Sequence, residues 1–245
     1  MDTPRKGKLY LIPCFIADVP YADVLPEKIR STTDDIRFFA VENIRSARRF
    51  IRRILPEKSI DDLQFFEIGK RSDPAAVRQA LAPCLQGADV GVISEAGVPA
   101  VADPGARVVQ AAHRMGIQVV PLSGPSSLLM ALMASGLSGQ NFAFHGYLPI
   151  DPAERAARIR QIEQRSGKES AAQLFIETPF RNLRMFQTLL SVCDPATRLC
   201  VAGGISGPDE YIATRTIACW RETPVPPIDR CPTVFILQKP SRYDD

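Results

Sequence analysis

Ser94-Glu95-Ala96-Gly97-Val98-Pro99-Ala100-Val101-Ala102-Asp103-Pro104-Gly105 is the stretch that decides the fold. It follows the short apolar run Asp89-Val90-Gly91-Val92-Ile93 and leads into an amphipathic segment. That order reads as buried strand, open loop and helix. A loop at the carboxyl end of a strand is where open α/β sheets build ligand sites. A second loop of small residues, Leu122-Ser123-Gly124-Pro125-Ser126-Ser127, comes next along the chain. Two such loops facing one crevice point to a nucleotide-like ligand.

Working outward, strands and helices alternate. Leu9–Ile12, Ile36–Val41, Leu63–Phe66, Val90–Ser94 and Ile117–Pro121 read as strands. Asn43–Leu55 has helical periodicity, with Ile44, Ala47, Ile51 and Leu55 on one stripe. Asp73-Pro74 opens another helix, Asp as the cap and Pro at the first helical position, running to about Leu85. Asp103-Pro104 repeats that signal, and Gly116 closes the helix. This alternation predicts a mostly parallel sheet with helices on both faces.

Ser126–Ser135 is apolar on nearly every side, which predicts a buried helix between two layers or domains. Beyond it the pattern changes. Phe142–Tyr147, Gln173–Ile176 and Leu199–Ala202 read as strands, and Tyr211–Ile217 and Pro232–Gln238 as antiparallel ones. Pro152–Arg165 is a charged helix, and Thr178-Pro179 caps another through Leu190. The expectation is an α/β chain of two domains. Residues 1–121 form a mostly parallel sheet with helices on both faces, and 122–245 a mixed sheet with helices.

Composition narrows the class. The chain has 245 residues, 45% of them hydrophobic and 23% charged, as in ordinary globular proteins. A net charge of +3 leaves RNA as an allowed partner without announcing it. Arg45, Arg48, Arg49, Arg52 and Arg53 form one broad helical face, whose plain reading is a solvated surface. The six cysteines include no CxxC pair and stand beside only two histidines, so no metal site is expected. No apolar run is long enough to span a membrane, and Met1–Lys8 is too polar for a leader. Scattered cysteines without a leader point to a reducing, cytoplasmic setting.

The loops also carry a resemblance. The chain resembles the tetrapyrrole methylase superfamily of S-adenosylmethionine-dependent methyltransferases, and within it the branch that methylates small-subunit ribosomal RNA. That branch has Ser-Asp-Ala-Gly-Thr-Pro followed by Asp-Pro-Gly; here these stand as Ser94–Pro99 and Asp103–Gly105. Its Pro-Leu-Pro-Gly-Pro loop stands as Pro121–Pro125, and its Gly-Phe-Leu-Pro element as Gly146–Pro149. Glu-Ser-Pro-His-Arg stands as Glu177–Arg181, and Glu-Asp-Thr-Arg as Glu42–Arg45. The chain departs from the branch at Pro13-Cys14-Phe15-Ile16-Ala17, where Thr-Pro-Ile-Gly-Asn is usual. It departs again at Ala202–Gly207, where Ala-Arg-Glu-Leu-Thr-Lys is usual.

The resemblance implies cofactor contacts at Pro13, Glu95, Ala96, Gly97, Val98, Ser126, Ser127, Ile176, Glu177 and Ala202, in a cleft between domains. Glu95 stands where the family places an acid beside the cofactor; the alternative is a plain loop carboxylate. Gly97 and Pro99 let the backbone approach a flat ligand. Ser126 and Ser127 either cap a helix or touch the cofactor, and both roles can hold. Glu177 could instead pair with Arg181 four residues on. Glu42 and Arg45 form either an acceptor-side catalytic site or a surface ion pair. Asp103 reads as a helix cap, His145 as a satisfied structural histidine, and Trp220 and Tyr211 as core or dimer residues.

The implied function is methyl transfer from S-adenosylmethionine, leaving S-adenosylhomocysteine, to RNA or the small ribosomal subunit. The expected chemistry is like 2′-O-ribose methylation of a cytidine, carried out by a cytoplasmic homodimer. Two alternatives stand beside it: methylation of a tetrapyrrole or other small molecule, and a silent relative that keeps only cofactor binding.

Overall fold

The computed structural model describes residues 5–69 and 71–240. They divide after Ser126 into two compact units.

The first unit runs β1 (Leu9–Ile12), α1 (Tyr21–Val24), α2 (Glu27–Asp35), β2 (Phe38–Val41), α3 (Ile44–Ile54), β3 (Gln64–Glu67), α4 (Pro74–Leu85), β4 (Val90–Ile93), α5 (Gly105–Arg114) and β5 (Val119–Pro121). Its five strands are parallel, in the order β3-β2-β4-β1-β5. Successive side chains on a strand alternate between faces, and two separate apolar clusters follow from that. Ile12, Phe39, Val41 and Ile93 pack with Ile29 of α2 and Ala47, Phe50, Ile51 and Ile54 of α3. Leu9, Ala40, Val90 and Val92 pack with Val77, Ala80 and Leu81 of α4 and Val108 and Ala112 of α5. Helices therefore cover both faces, as a buried parallel sheet requires.

The helix starts follow sequence chemistry. Asp73 accepts from Ala75 N at 2.8 Å with Pro74 at the first position of α4, and Asn43 accepts from Ser46 N at 3.1 Å to cap α3. Gly116 follows α5 with φ +62°, the left-handed conformation that ends a helix at little cost. At α5 the structure departs from the simple pattern. The cap position is Pro104, without a side-chain bond, and Asp103 stands one residue outside it.

The second unit runs α6 (Ser127–Ser135), β6 (Phe142–Tyr147), α7 (Pro152–Glu169), β7 (Ala172–Glu177), a 3-10 turn (Pro179–Arg181), α8 (Asn182–Val192), β8 (Arg198–Gly203), β9 (Tyr211–Thr216), α9 (Ile217–Arg221) and β10 (Thr233–Gln238). Its sheet has the order β6-β7-β10-β8-β9, with β6 parallel to β7 and the other pairs antiparallel. The expected α/β architecture, with one parallel and one mixed sheet, is what the chain adopts. The core on one side of this sheet joins Phe175 and Phe235 to Ile159 and Ile162 of α7, Phe186 and Leu189 of α8, and Trp220 of α9.

Two expectations fail here. The helix predicted to be buried all round is not. α6 packs against β9 and β10 and buries Ala131, Leu132 and Ser135, while Leu129 is 52% and Met133 82% exposed. A helix of nine residues laid on a sheet has one inward face, and an unbroken apolar run hides which face that is. Thr178 does not cap α8 either. Its hydroxyl accepts from Arg181 Nε at 3.2 Å across the 3-10 turn, and α8 begins only at Asn182. Trp220 is a core residue, as read.

Candidate functional site

In the first unit the strand register sets the site. Ile12 and Val41 both pair with Ile93, so β1, β4 and β2 end in one row. The next residues, Pro13, Ser94 and Glu42, leave the sheet side by side. The connections out of β1 and β4 cover opposite faces of the sheet through α2 and α5. Adjacent strands whose connections diverge in this way mark a topological switch point, the usual ligand position of open α/β sheets.

Close packing of the loops explains their small residues. Cys14 N donates to Gly97 O at 2.9 Å. Ser94 Oγ donates to the same carbonyl at 3.2 Å, which curls the loop. Gly97 has φ +68°, and a Cβ there would stand 3.1 Å from both Ile16 Cγ2 and Pro125 O. A Cβ on Gly124 would stand 2.2 Å from Pro13 Cβ. The loops after β1, β4 and β5 thus pack in close contact. Glycine is required at both positions, and the two small-residue loops read from the sequence converge.

Glu95 and Ala96 are exposed at the crest of this loop. Glu95 Oε2 accepts from Ser46 Oγ at 2.9 Å, which ties the loop to the first turn of α3. Sequence reading missed this partner, because the two residues stand 49 positions apart. No hydrogen bond among the described residues uses the backbone N–H of Ala96 or Val98.

Asp103 does more than start α5. Its Oδ1 accepts from Gly105 N at 2.7 Å and from Ala100 N at 2.8 Å. The second bond pins a segment in which Ala100 and Ala102 hold φ of +67° and +62°, a strained conformation for alanine. Burial raises the Asp103 carboxyl above its ordinary range, against the pull of those two backbone donors. A small cavity between the ends of β2 and β4 is lined by Glu42, Ser94, Asp103 and Gly105, with Val41 and Ile68. Cys14 is buried nearby. Desolvation first, then the charges of Glu95 and Asp103, push its thiol far up, so it is no nucleophile. Glu42 is half-buried and has an interaction partner, whereas Arg45 is exposed and has no partner among the described residues.

The other predicted residues belong to the second unit, apart from Ser126, the last residue of the first. Ser127 opens α6. Ile176 and Ala202 both pair with Val234, so they share one row across β7, β10 and β8. Glu177 takes the structural role left open for it. Its buried Oε1 accepts from Thr178 N at 2.7 Å and pairs with Arg181 at 2.6 Å. His145 is satisfied as read. Arg158 donates to Nδ1 at 3.2 Å, so Nε2 carries the proton and donates to Gln173 Oε1 at 2.7 Å. Burial, with the charges of Arg158 and Arg165, lowers its pKa against the pull of Gln173. Among the described residues no group of three His, Cys, Asp or Glu could hold a metal, and no helix is long and apolar enough to cross a membrane.

Comparison with known proteins adds three kinds of likeness. A family model described as Tetrapyrrole (Corrin/Porphyrin) Methylases matches residues 31–219. Ribosomal RNA small subunit methyltransferase I of Pseudomonas aeruginosa is 35% identical over 54% of this chain and 45% of its own length. The match therefore spans less than half of that relative. The protein of the same name from Xylella fastidiosa is 25% identical over 89% of this chain and 75% of its own. Among solved structures, uroporphyrin-III C-methyl transferase from Thermus thermophilus complexed with S-adenyl homocysteine aligns with a TM-score of 0.54. It covers 95% of this chain and 97% of that one at 19% identity, a likeness of fold alone.

Proposed function

Because the chain belongs to the tetrapyrrole (corrin/porphyrin) methylase family, we propose that it transfers a methyl group from S-adenosylmethionine to a ribose 2′ oxygen in small-subunit ribosomal RNA. The carrying observation is the name shared by the relatives that match 54% and 89% of the chain. The resemblance also supports a cytoplasmic homodimer.

The residues of the first unit fit the cofactor. The N–H groups of Ala96 and Val98 are donors without a partner among the described residues, and the exposed Glu95 carboxylate is an acceptor beside them. A ligand with both carboxylate or ring-nitrogen acceptors and hydroxyl or ammonium donors suits that set. The bound cofactor supplies an electrophilic methyl group on a sulfonium. The donor is already activated, so the work of this chain is orientation. The closely packed loops at Pro13, Gly97 and Gly124 would hold the cofactor in one place. Glu42, beside them at the end of β2, is the carboxylate suited to hold or accept the proton of an acceptor hydroxyl. Arg45 is free to meet the acceptor's phosphate.

Two substitutions separate these roles. Glu95→Ala removes an acceptor from the cofactor set, and affinity for S-adenosylmethionine by calorimetry should fall about tenfold. Ser46→Ala keeps the carboxylate and should leave that affinity alone. Equal, unchanged affinities in both variants would remove Glu95 from the site. Glu42→Ala should leave cofactor affinity intact and lower turnover by roughly a hundredfold; unchanged turnover would exclude Glu42 from the acceptor side.

The reading as a whole is tested with labelled S-adenosylmethionine and unmodified small ribosomal subunits. Label in the RNA, at a 2′ oxygen by nuclease mapping, is the expected result. Label transferred only to a tetrapyrrole or other small molecule, or cofactor binding without any S-adenosylhomocysteine formed, would overturn it.

A further inference from the structure

Helix α3 carries arginine at five of its positions and no acid in its first turn. Two of the five are held from the sides. Arg48 pairs with Asp61 at 2.9 Å. Arg53 pairs with Asp18 at 2.8 Å, donates to Val19 O and lies over the Phe15 ring at 4.2 Å. Arg45, Arg49 and Arg52 are exposed and have no partner among the described residues. Their spacing of four and then three residues puts them on one stripe. At 1.5 Å per residue the stripe is about 10 Å long. With Arg48 and Arg53 they line a shallow depression that has Ile44 at its end.

Local stability does not account for this stripe. Cations in the last turn are favoured by the helix dipole, which covers Arg52 and Arg53. Arg45 stands in the first turn, where the dipole opposes a cation, and Arg49 lies between the ends. Mutual repulsion at three- and four-residue spacing works against all three. A local rule broken without local compensation points to a function. The stripe also has a place. Ser46, next to Arg45, is bonded to Glu95, so its head is tied to the exposed loop that follows β4.

We infer that the Arg45–Arg49–Arg52 stripe is the surface on which the phosphate backbone of RNA lies on its way to the site at Glu42 and Glu95. This rests on the reading of the chain as an RNA methyltransferase and gives it a docking surface. Guanidinium groups fit the part, since each presents a planar fork of donors that matches phosphate oxygens two at a time. The stripe follows a helix and reads no bases, so it sets affinity and register, not sequence.

The test is the double variant Arg49→Glu/Arg52→Glu, with Arg49→Gln/Arg52→Gln beside it. Arg45 is left in place, so the acceptor-side site is untouched. Binding of a labelled single-stranded RNA and of whole small subunits is followed by anisotropy across a salt series, with methyl transfer measured in parallel. Affinity for RNA and 1/KM for subunits should fall at least about tenfold at physiological salt, with cofactor affinity and melting temperature unchanged. The slope of log affinity against log salt should shrink by about two in the neutral variant, one for each lost phosphate contact. Wild-type affinity and slope in the variants would overturn the inference. So would weakened binding to subunits with unchanged binding to naked RNA, which would make the partner an acidic protein surface. If wild type binds RNA through this stripe but labels none, the docking surface stands and the methyl-transfer reading falls.

Discussion

Trp220→Ala should destabilise the second unit by about 4 kcal/mol, in the range measured for large aromatic truncations in cores. The side chain is 1% exposed and meets Phe186 edge-on, with ring centroids 5.4 Å apart at 89°. Its indole N–H donates to Leu199 O at 2.8 Å, and the Arg215 guanidinium lies 4.9 Å from its ring. Removal leaves a cavity beneath α9, takes one hydrogen bond from the Leu199 carbonyl of β8 and leaves an arginine without its aromatic face. The short helix has no second anchor of comparable size. Thermal melting by circular dichroism should drop by roughly 10 °C. Trp220→Phe, which keeps the ring contact and loses the hydrogen bond, should lose less than half as much. A drop of only 2 °C in the alanine variant would mean that α9 is not part of this core.

Gly124→Ala should leave the fold largely standing and cut affinity for S-adenosylmethionine by roughly tenfold to a hundredfold. The new Cβ would stand 2.2 Å from Pro13 Cβ and 2.5 Å from Pro13 Cγ. Pro13 cannot swing aside: its ring is rigid, and it is buried directly after β1. The loop after β5 must therefore retreat from the loop after β1 by about 1 Å, a displacement large enough to spoil a bound geometry. The stability cost of such overpacking is about 1–3 kcal/mol. Gly139→Ala is the control, since a Cβ there meets nothing within 4 Å. Calorimetry on both variants decides it; wild-type affinity in Gly124→Ala would place the cofactor away from these loops.

The parallel unit was legible because its signals are local. Asp73-Pro74 announces α4, apolar runs bounded by polar residues announce β1, β2 and β4, and glycines mark the loops between them. α1 and α2 escaped notice. α2 buries Ile29 together with Thr32 and Thr33, so its inward face is half polar and its period is blurred. α9 is five residues long, too short for any helical period to appear. At the candidate site, sequence offered residues and structure shows which of them are coupled and to what. Glu95 with Ser46, Asp103 with Ala100, and Gly124 against Pro13 are products of strand order, which no local pattern encodes. Glu177 shows the converse. Its spacing to Arg181 stated the ion pair openly, and the structure contains it.

The chain has a single tryptophan, and it sits in the core of the second unit. Intrinsic emission excited at the indole band therefore reports on that half of the molecule alone, while far-ultraviolet dichroism reports on both. If the two halves unfold as one, the two signals will share a midpoint in urea. If the halves are energetically independent, the curves will separate, and a ligand will shift only the transition of a half to which it binds.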